Sequence, residues 1–111
     1  MRLKPIKDKK KIEKIFEMGS LVKYGSVAVK FYDFNNHPSE YGVSVPKKTF
    51  PLAVTRNKIK RQVRHCVDDL SKKSSIKNGR SFFIIIHNQK TPLYKKIYTD
   101  LSLALEKLTL D

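Results

Sequence analysis

Arg56-Asn57-Lys58-Ile59-Lys60-Arg61-Gln62-Val63-Arg64 is the stretch that decides how this chain folds. An α-helix advances about 100° per residue. With Arg56 at zero, Lys60, Arg64, Asn57 and Arg61 fall at about 40°, 80°, 100° and 140°. Ile59, Val63, Cys66 and Leu70 fall at about 300°, 340°, 280° and 320°. The segment therefore reads as a helix with two separate faces. One is apolar and docks on a sheet; the other presents four cations and one amide, with Lys58 adding charge beside them.

Those side chains suit a phosphate-rich partner. A guanidinium holds a phosphate with two hydrogen bonds and stacks on a base. Asn57 donates and accepts at once, so it can read a base edge or a sugar hydroxyl, or orient a neighbouring Arg. A basic helix face is also commonly no more than solvated surface. Two features weigh against that here. No acid occurs between Glu40 and Asp68, so ion pairs cannot neutralise most of the stripe, and Lys47 and Lys48 add to the same local charge.

Working outward, the helix should begin near Pro51, whose fixed φ suits a first helical position, and run to about Lys73. Ser74-Ser75 and Asn78-Gly79 break the pattern. Upstream, Val27, Val29 and Phe31 alternate with Ala28, Lys30 and Tyr32, and Tyr41, Val43 and Val45 alternate again. With the turn signal Asn35-Asn36-His37-Pro38 between them, the two runs predict an antiparallel hairpin. A first helix is predicted from about Lys9 to Met18, with Asp8 as N-cap, Ile12, Ile15 and Phe16 as its apolar face, and Gly19 as its stop. The run Lys9-Lys10-Lys11 fits a solvated helix start or an RNA contact. Downstream, residues 82–87 are near-continuously apolar, which predicts a central strand buried on both faces. Thr91-Pro92 reads as the start of a last helix, with Leu93, Ile97, Leu101, Ala104, Leu105 and Leu108 as its core stripe.

The order is helix, strands, helix, strand, helix: an α+β two-layer sandwich of three helices on a small mixed sheet. Its 111 residues suit a single domain, 1–111. Lys and Arg outnumber Asp and Glu by 24 to 10, a formal charge of +14 that points to a polyanion. No apolar stretch approaches the roughly 18 residues of a spanning helix. The charged N-terminus is not followed by a signal core, so a cytoplasmic protein is expected. Cys66, alone, and three scattered histidines (His37, His65, His87) offer no metal-ligand spacing. The few acids form no evident cluster beyond Asp68-Asp69, so no autonomous nuclease site is predicted. No helix-turn-helix arrangement appears. A ribosomal or general RNA-binding protein would explain the charge equally well.

The ordered spacing Arg56-Asn57-x-x-Lys60-Arg61-x-x-Arg64 resembles the signature of the bacterial ribonuclease P protein component. Its context matches: Ser44-Val45-Pro46-Lys47-Lys48 precedes it, Leu3-Lys4 and Phe16-Glu17-Met18-Gly19 stand near the N-terminus, and the apolar strand and last helix follow in family order. The resemblance implies a left-handed βαβ crossover, against the usual rule. It implies a protein that joins a catalytic RNA, which holds the Mg2+ ions and removes the 5′ leader of precursor tRNA. Arg56, Asn57, Lys58, Lys60, Arg61 and Arg64 would face the RNA subunit, with Lys47 and Lys48 as additional basic contacts. The leader would cross a cleft near Phe16, joined by Lys30, Ser44 and His87; Phe16 also fits a core position, and the others fit solvated strand positions. No membrane or small-molecule partner is implied. The chain departs from the family pattern in Ile12, where many relatives carry a second aromatic, in Lys30, where some carry Tyr, and in Phe50-Pro51-Leu52.

Overall fold

A computed structural model describes residues 3–34, 38–73, 79–87 and 94–109. Along them run β1 (Lys4–Pro5), α1 (Lys9–Met18), β2 (Ser20–Tyr24), β3 (Val27–Asp33), β4 (Glu40–Ser44), α2 (Ala53–Lys73), β5 (Arg80–Ile86) and α3 (Tyr94–Thr109). The strands form one mixed sheet in the order β1-β4-β5-β3-β2. The α+β sandwich of three helices on a mixed sheet is thus observed.

The apolar run around residue 84 takes the central position, where both strand edges find partners. β5 lies antiparallel to β3 and parallel to β4. Phe82, Ile84 and Ile86 are fully buried on one face, with Val27 and Val29 of β3 beside them. Over this face lie the apolar stripes of α2 (Ile59, Val63, Cys66, Leu70) and α3 (Ile97, Leu101, Ala104, Leu105, Leu108), all buried in one cluster. Both stripes are those the helical spacing predicts.

The opposite face departs from expectation. Phe83 and Ile85 of β5 are only half-buried, so the strand is not sealed on both sides. The cover there is α1, whose ten residues reach only about 15 Å. The start of α1 is as predicted: a carboxylate oxygen of Asp8 accepts the Lys10 N–H at 2.9 Å. Gly19 ends it in extended backbone, its N–H donating to the Ile15 carbonyl.

The predicted hairpin of residues 27–32 with 41–45 is wrong. Both segments are strands, but β5 lies between them and pairs with each. Alternation states which face of a strand is buried, not which strand lies beside it. The hairpin that does form joins β2 to β3 through Gly25-Ser26. Gly25 has φ +55°, and a side chain there would run into the Asp100 carboxylate. Asp100, on α3, accepts from both the backbone N–H and the hydroxyl of Ser26 at 3.0 Å, seating the turn on the helix. β2 escaped the sequence reading because it is an edge strand with Ser20, Leu21 and Lys23 exposed. β1 escaped because it is two residues long, one of them proline.

α2 begins at Ala53, two residues after Pro51; the Arg56 N–H donates to the Leu52 carbonyl to open it. The parallel pair β4 and β5, joined through α2, is the βαβ unit to which the crossover expectation applies. The turn residues Asn35, Asn36 and His37, the breakers Ser74, Ser75 and Asn78, and the Thr91-Pro92-Leu93 start lie outside the described residues.

Candidate nucleic-acid interface

The signature lies in the first half of α2. Its apolar side is buried in the core, and Asn57, Lys58, Arg61 and Arg64 are exposed on the other. Lys60 is half-buried. Among the described residues, none of the stripe's cations pairs with a carboxylate. Lys47 and Lys48 are exposed in the turn that leads into the helix. Arg56 differs from the others. Its Nη1 donates to the carbonyls of Phe50 and Pro51, each at 2.8 Å, latching the incoming loop to the first turn of α2. Its place in the stripe is therefore partly structural.

The half-open sheet face holds the second constellation. Lys30 of β3 and Gly42 of β4 are the register partners of Phe83 on β5, so the three share that face. The Phe16 ring of α1 packs against Phe83 with centroids 5.1 Å apart and planes tilted by 52°. The Lys30 ammonium lies 5.8 Å from the Phe16 ring centre and donates to the Phe16 carbonyl at 2.7 Å. That bond places a cation at the negative end of α1 and fixes the helix to the sheet. The ammonium has three donors, so donors remain for a ligand. Gly42 makes the arrangement possible, because a β-carbon there would overlap the Phe83 ring.

Phe16 and Lys30 are thus brought together, with a partner the sequence reading did not name. Phe83 was legible in principle: it alternates with Phe82, so one of the two had to lie away from the main core. Ser44 pairs with Ile85 two residues along and faces the same way. His87 follows β5, its N–H donating to the Ser26 carbonyl at 3.2 Å. These two lie toward the far end of the face from the aromatic pair. Ile12 is half-buried one turn before Phe16. Within the N-terminal lysine run, Lys9 and Lys10 are exposed, whereas Lys11 is drawn to Glu40 at 2.8 Å and to the Phe34 ring.

A polar seam joins the outer sides of α2 and α3. His65 Nδ1 lies 2.7 Å from the Tyr94 hydroxyl. The Tyr98 hydroxyl donates to Asp69, and Lys73 donates to Tyr98. The Tyr98 hydrogen bond is the main reason the Asp69 carboxyl titrates below its usual range. A depressed carboxyl stabilises the fold above its unfolded pKa, and that contribution is lost as pH falls through the folded value. Tyr98→Phe should therefore raise the Asp69 pKa and weaken the acid dependence of stability. NMR titration of the Asp69 carboxyl checks this; an unmoved pKa would refute the assigned cause. Burial pushes the Cys66 thiol up, which suits an inert core position.

Among the described residues no group of three or more His, Cys, Asp and Glu is assembled that could hold a metal ion, and no helix is long and apolar enough to cross a membrane.

Fold and surfaces together define a small, strongly basic α+β protein with one cationic helix face and one aromatic sheet face. The chain belongs to the ribonuclease P protein family, whose model, described as ribonuclease P, matches residues 1–109. Its fold is similar to that of the Staphylococcus aureus RNase P protein (TM-score 0.78, 25% identity, 98% of this chain and 100% of that one). A mutant of the S. aureus protein described as having defective mRNA degradation activity is also similar (TM-score 0.76, 26% identity, 93% and 86%). The Thermotoga maritima RNase P protein shares the fold (TM-score 0.71, 20% identity, 96% of each chain). No curated protein matches the chain by sequence. The chain is accordingly a protein subunit of ribonuclease P, an endoribonuclease of tRNA processing, and it has an RNA partner in that holoenzyme.

Proposed function

We propose that the α2 stripe binds the catalytic RNA subunit and that the half-open sheet face binds the single-stranded 5′ leader of precursor tRNA. The observation that carries this reading is the separation of the two surfaces. α2 lies over the core face of the sheet, and the Phe16–Phe83 pair with Lys30 lies on the other. One chain can then hold two RNA segments at once. The stripe supplies charge and forked donors for phosphates already ordered by the RNA's own fold. The sheet face supplies rings for unpaired bases, and stacking tolerates any base because each has a π-face. Arg56, Asn57, Lys58, Lys60, Arg61 and Arg64 are assigned to the RNA subunit, with Lys47 and Lys48 beside them. Phe16, Lys30, Ser44 and His87 are assigned to the leader, and Phe83 joins them.

Leader hydrolysis is assigned to the RNA subunit, which would hold the Mg2+ ions. Among the described residues no group of three or more His, Cys, Asp and Glu is assembled. The protein's part is to neutralise phosphate repulsion and to hold the leader, and both lower the magnesium requirement of the RNA. Reconstitution with the catalytic RNA should raise leader removal at low magnesium by an order of magnitude or more, read by single-turnover cleavage of precursor tRNA. No stimulation would overturn the assignment, and so would cleavage by the purified chain free of RNA.

A further inference from the structure

Pro51-Leu52-Ala53-Val54 is a run of four apolar residues, and all four are exposed. Leu52 is 70% exposed and Val54 81%. Consecutive apolar residues on a surface return nothing to the fold, so such a run points to a contact outside the chain. Helix α2 does not need them either. The Leu52 carbonyl accepts the Arg56 N–H, the first bond of α2, which makes Leu52 the N-cap residue. Ser, Thr, Asp and Asn stabilise that position, and Leu does not. The run is nevertheless held in place. Phe50 is buried just before it, Pro51 has a fixed φ, and the Arg56 guanidinium grips the carbonyls of Phe50 and Pro51, each at 2.8 Å. An apolar knob ordered in advance loses little entropy when it is covered.

We propose that Leu52 and Val54 form a knob that covers the face of one unpaired base of the catalytic RNA subunit. The proposal rests on the reading of the α2 stripe as the surface for that RNA. Position and charge choose the occupant. Lys58 follows Val54 by four residues and Arg61 by seven, so both cations stand on the Val54 face of the helix, and both are exposed. Lys47 and Lys48, also exposed, lie in the turn before the knob. The knob is thus rimmed by cations and continuous with the stripe. RNA carries a phosphate beside every base, so one strand supplies both the anions for the rim and the apolar surface for the knob. That apolar surface is the base face, which stacking covers inside a duplex. The base that meets the knob therefore lies outside a regular helix. Its contact adds affinity that salt does not screen, beside phosphate contacts that salt weakens.

Leu52→Ser combined with Val54→Ala tests this by filter binding to the RNA subunit across a salt series. Ser caps a helix start and Ala is the best helix former, so both replacements favour α2 and the variant keeps its fold. Affinity should fall about tenfold, with the slope of log affinity against log salt unchanged. On a long, fully paired RNA duplex, variant and parent should bind equally, because the phosphates are present and the base faces are covered. Parental affinity for the RNA subunit overturns the proposal, as does a flattened salt slope or an equal loss on the duplex. Lys60→Ala, Arg61→Ala and Arg64→Ala combined serve as the independent arm. If that variant keeps the parental affinity and slope, the reading of the stripe fails. If it weakens binding while the knob variant does not, the knob alone fails.

Discussion

Arg80→Met should lower the melting temperature by about 10 °C, the largest stability loss expected from a single substitution outside the apolar core. Arg80 is counted among the 24 Lys and Arg residues, yet it is only 6% exposed. Its Nε and Nη2 donate to the two carboxylate oxygens of Asp33 at 2.6 and 3.0 Å. Its Nη1 donates to the Leu108 carbonyl in the last turn of α3 at 3.0 Å, and its guanidinium lies 4.8 Å from the centre of the Phe31 ring. One side chain thus ties β5 to β3 and to the end of α3. Removing one partner of such a buried pair costs about 3 kcal/mol, once the partial exposure of Asp33 is allowed for. In a domain of this size that is about 10 °C. Arg80→Lys should recover only part of the loss, because an ammonium cannot match a forked contact to a carboxylate and a carbonyl together. Thermal melts followed by circular dichroism decide the point. A melting temperature within about 2 °C of the parent would show that the staple contributes little.

The second large effect concerns RNA. Lys60→Ala, Arg61→Ala and Arg64→Ala combined should weaken binding to the RNA subunit about a hundredfold at low salt. The slope of log affinity against log salt should fall by roughly 2 to 3, since each lost phosphate contact releases about one counterion fewer. Arg56 is kept in this variant because its guanidinium also latches the carbonyls of Phe50 and Pro51, so its loss would mix a folding effect with a binding effect. Filter binding across a salt series measures both quantities. A weakened affinity with an unchanged slope would mean that the three cations do not meet phosphates.

Much of this protein is readable along the chain. The bounds of α1, the two faces of α2, the core stripe of α3 and the buried side of β3 follow from periodicity, because each depends on residues a few positions apart; the continuous apolar run of β5 did not show which of its faces would be left half-open. The signature spacing is equally local: Lys60 follows Arg56 by one helical turn whatever the helix packs on. What the spacing could not tell is that Arg56 is engaged with its own loop while Arg61 is free of it, since that depends on where Phe50 turns in.

The tertiary structure alone decided the rest. Residues 27–33 and 40–44 were recognisable as strands, but only hydrogen bonding across the sheet placed residues 80–86 between them. The aromatic site needed that placement. Phe83 meets Phe16 because α1 covers part of one sheet face, and its ring has room because Gly42 is its neighbour on β4. Arg80 could be counted as a cation in the sequence but not assigned to the interior, for Asp33 lies 47 residues away. Periodicity is a short-range property and fixes faces. Partnership between strands, and between a helix and the half of a sheet it covers, is a long-range property that is set only when the whole chain is packed.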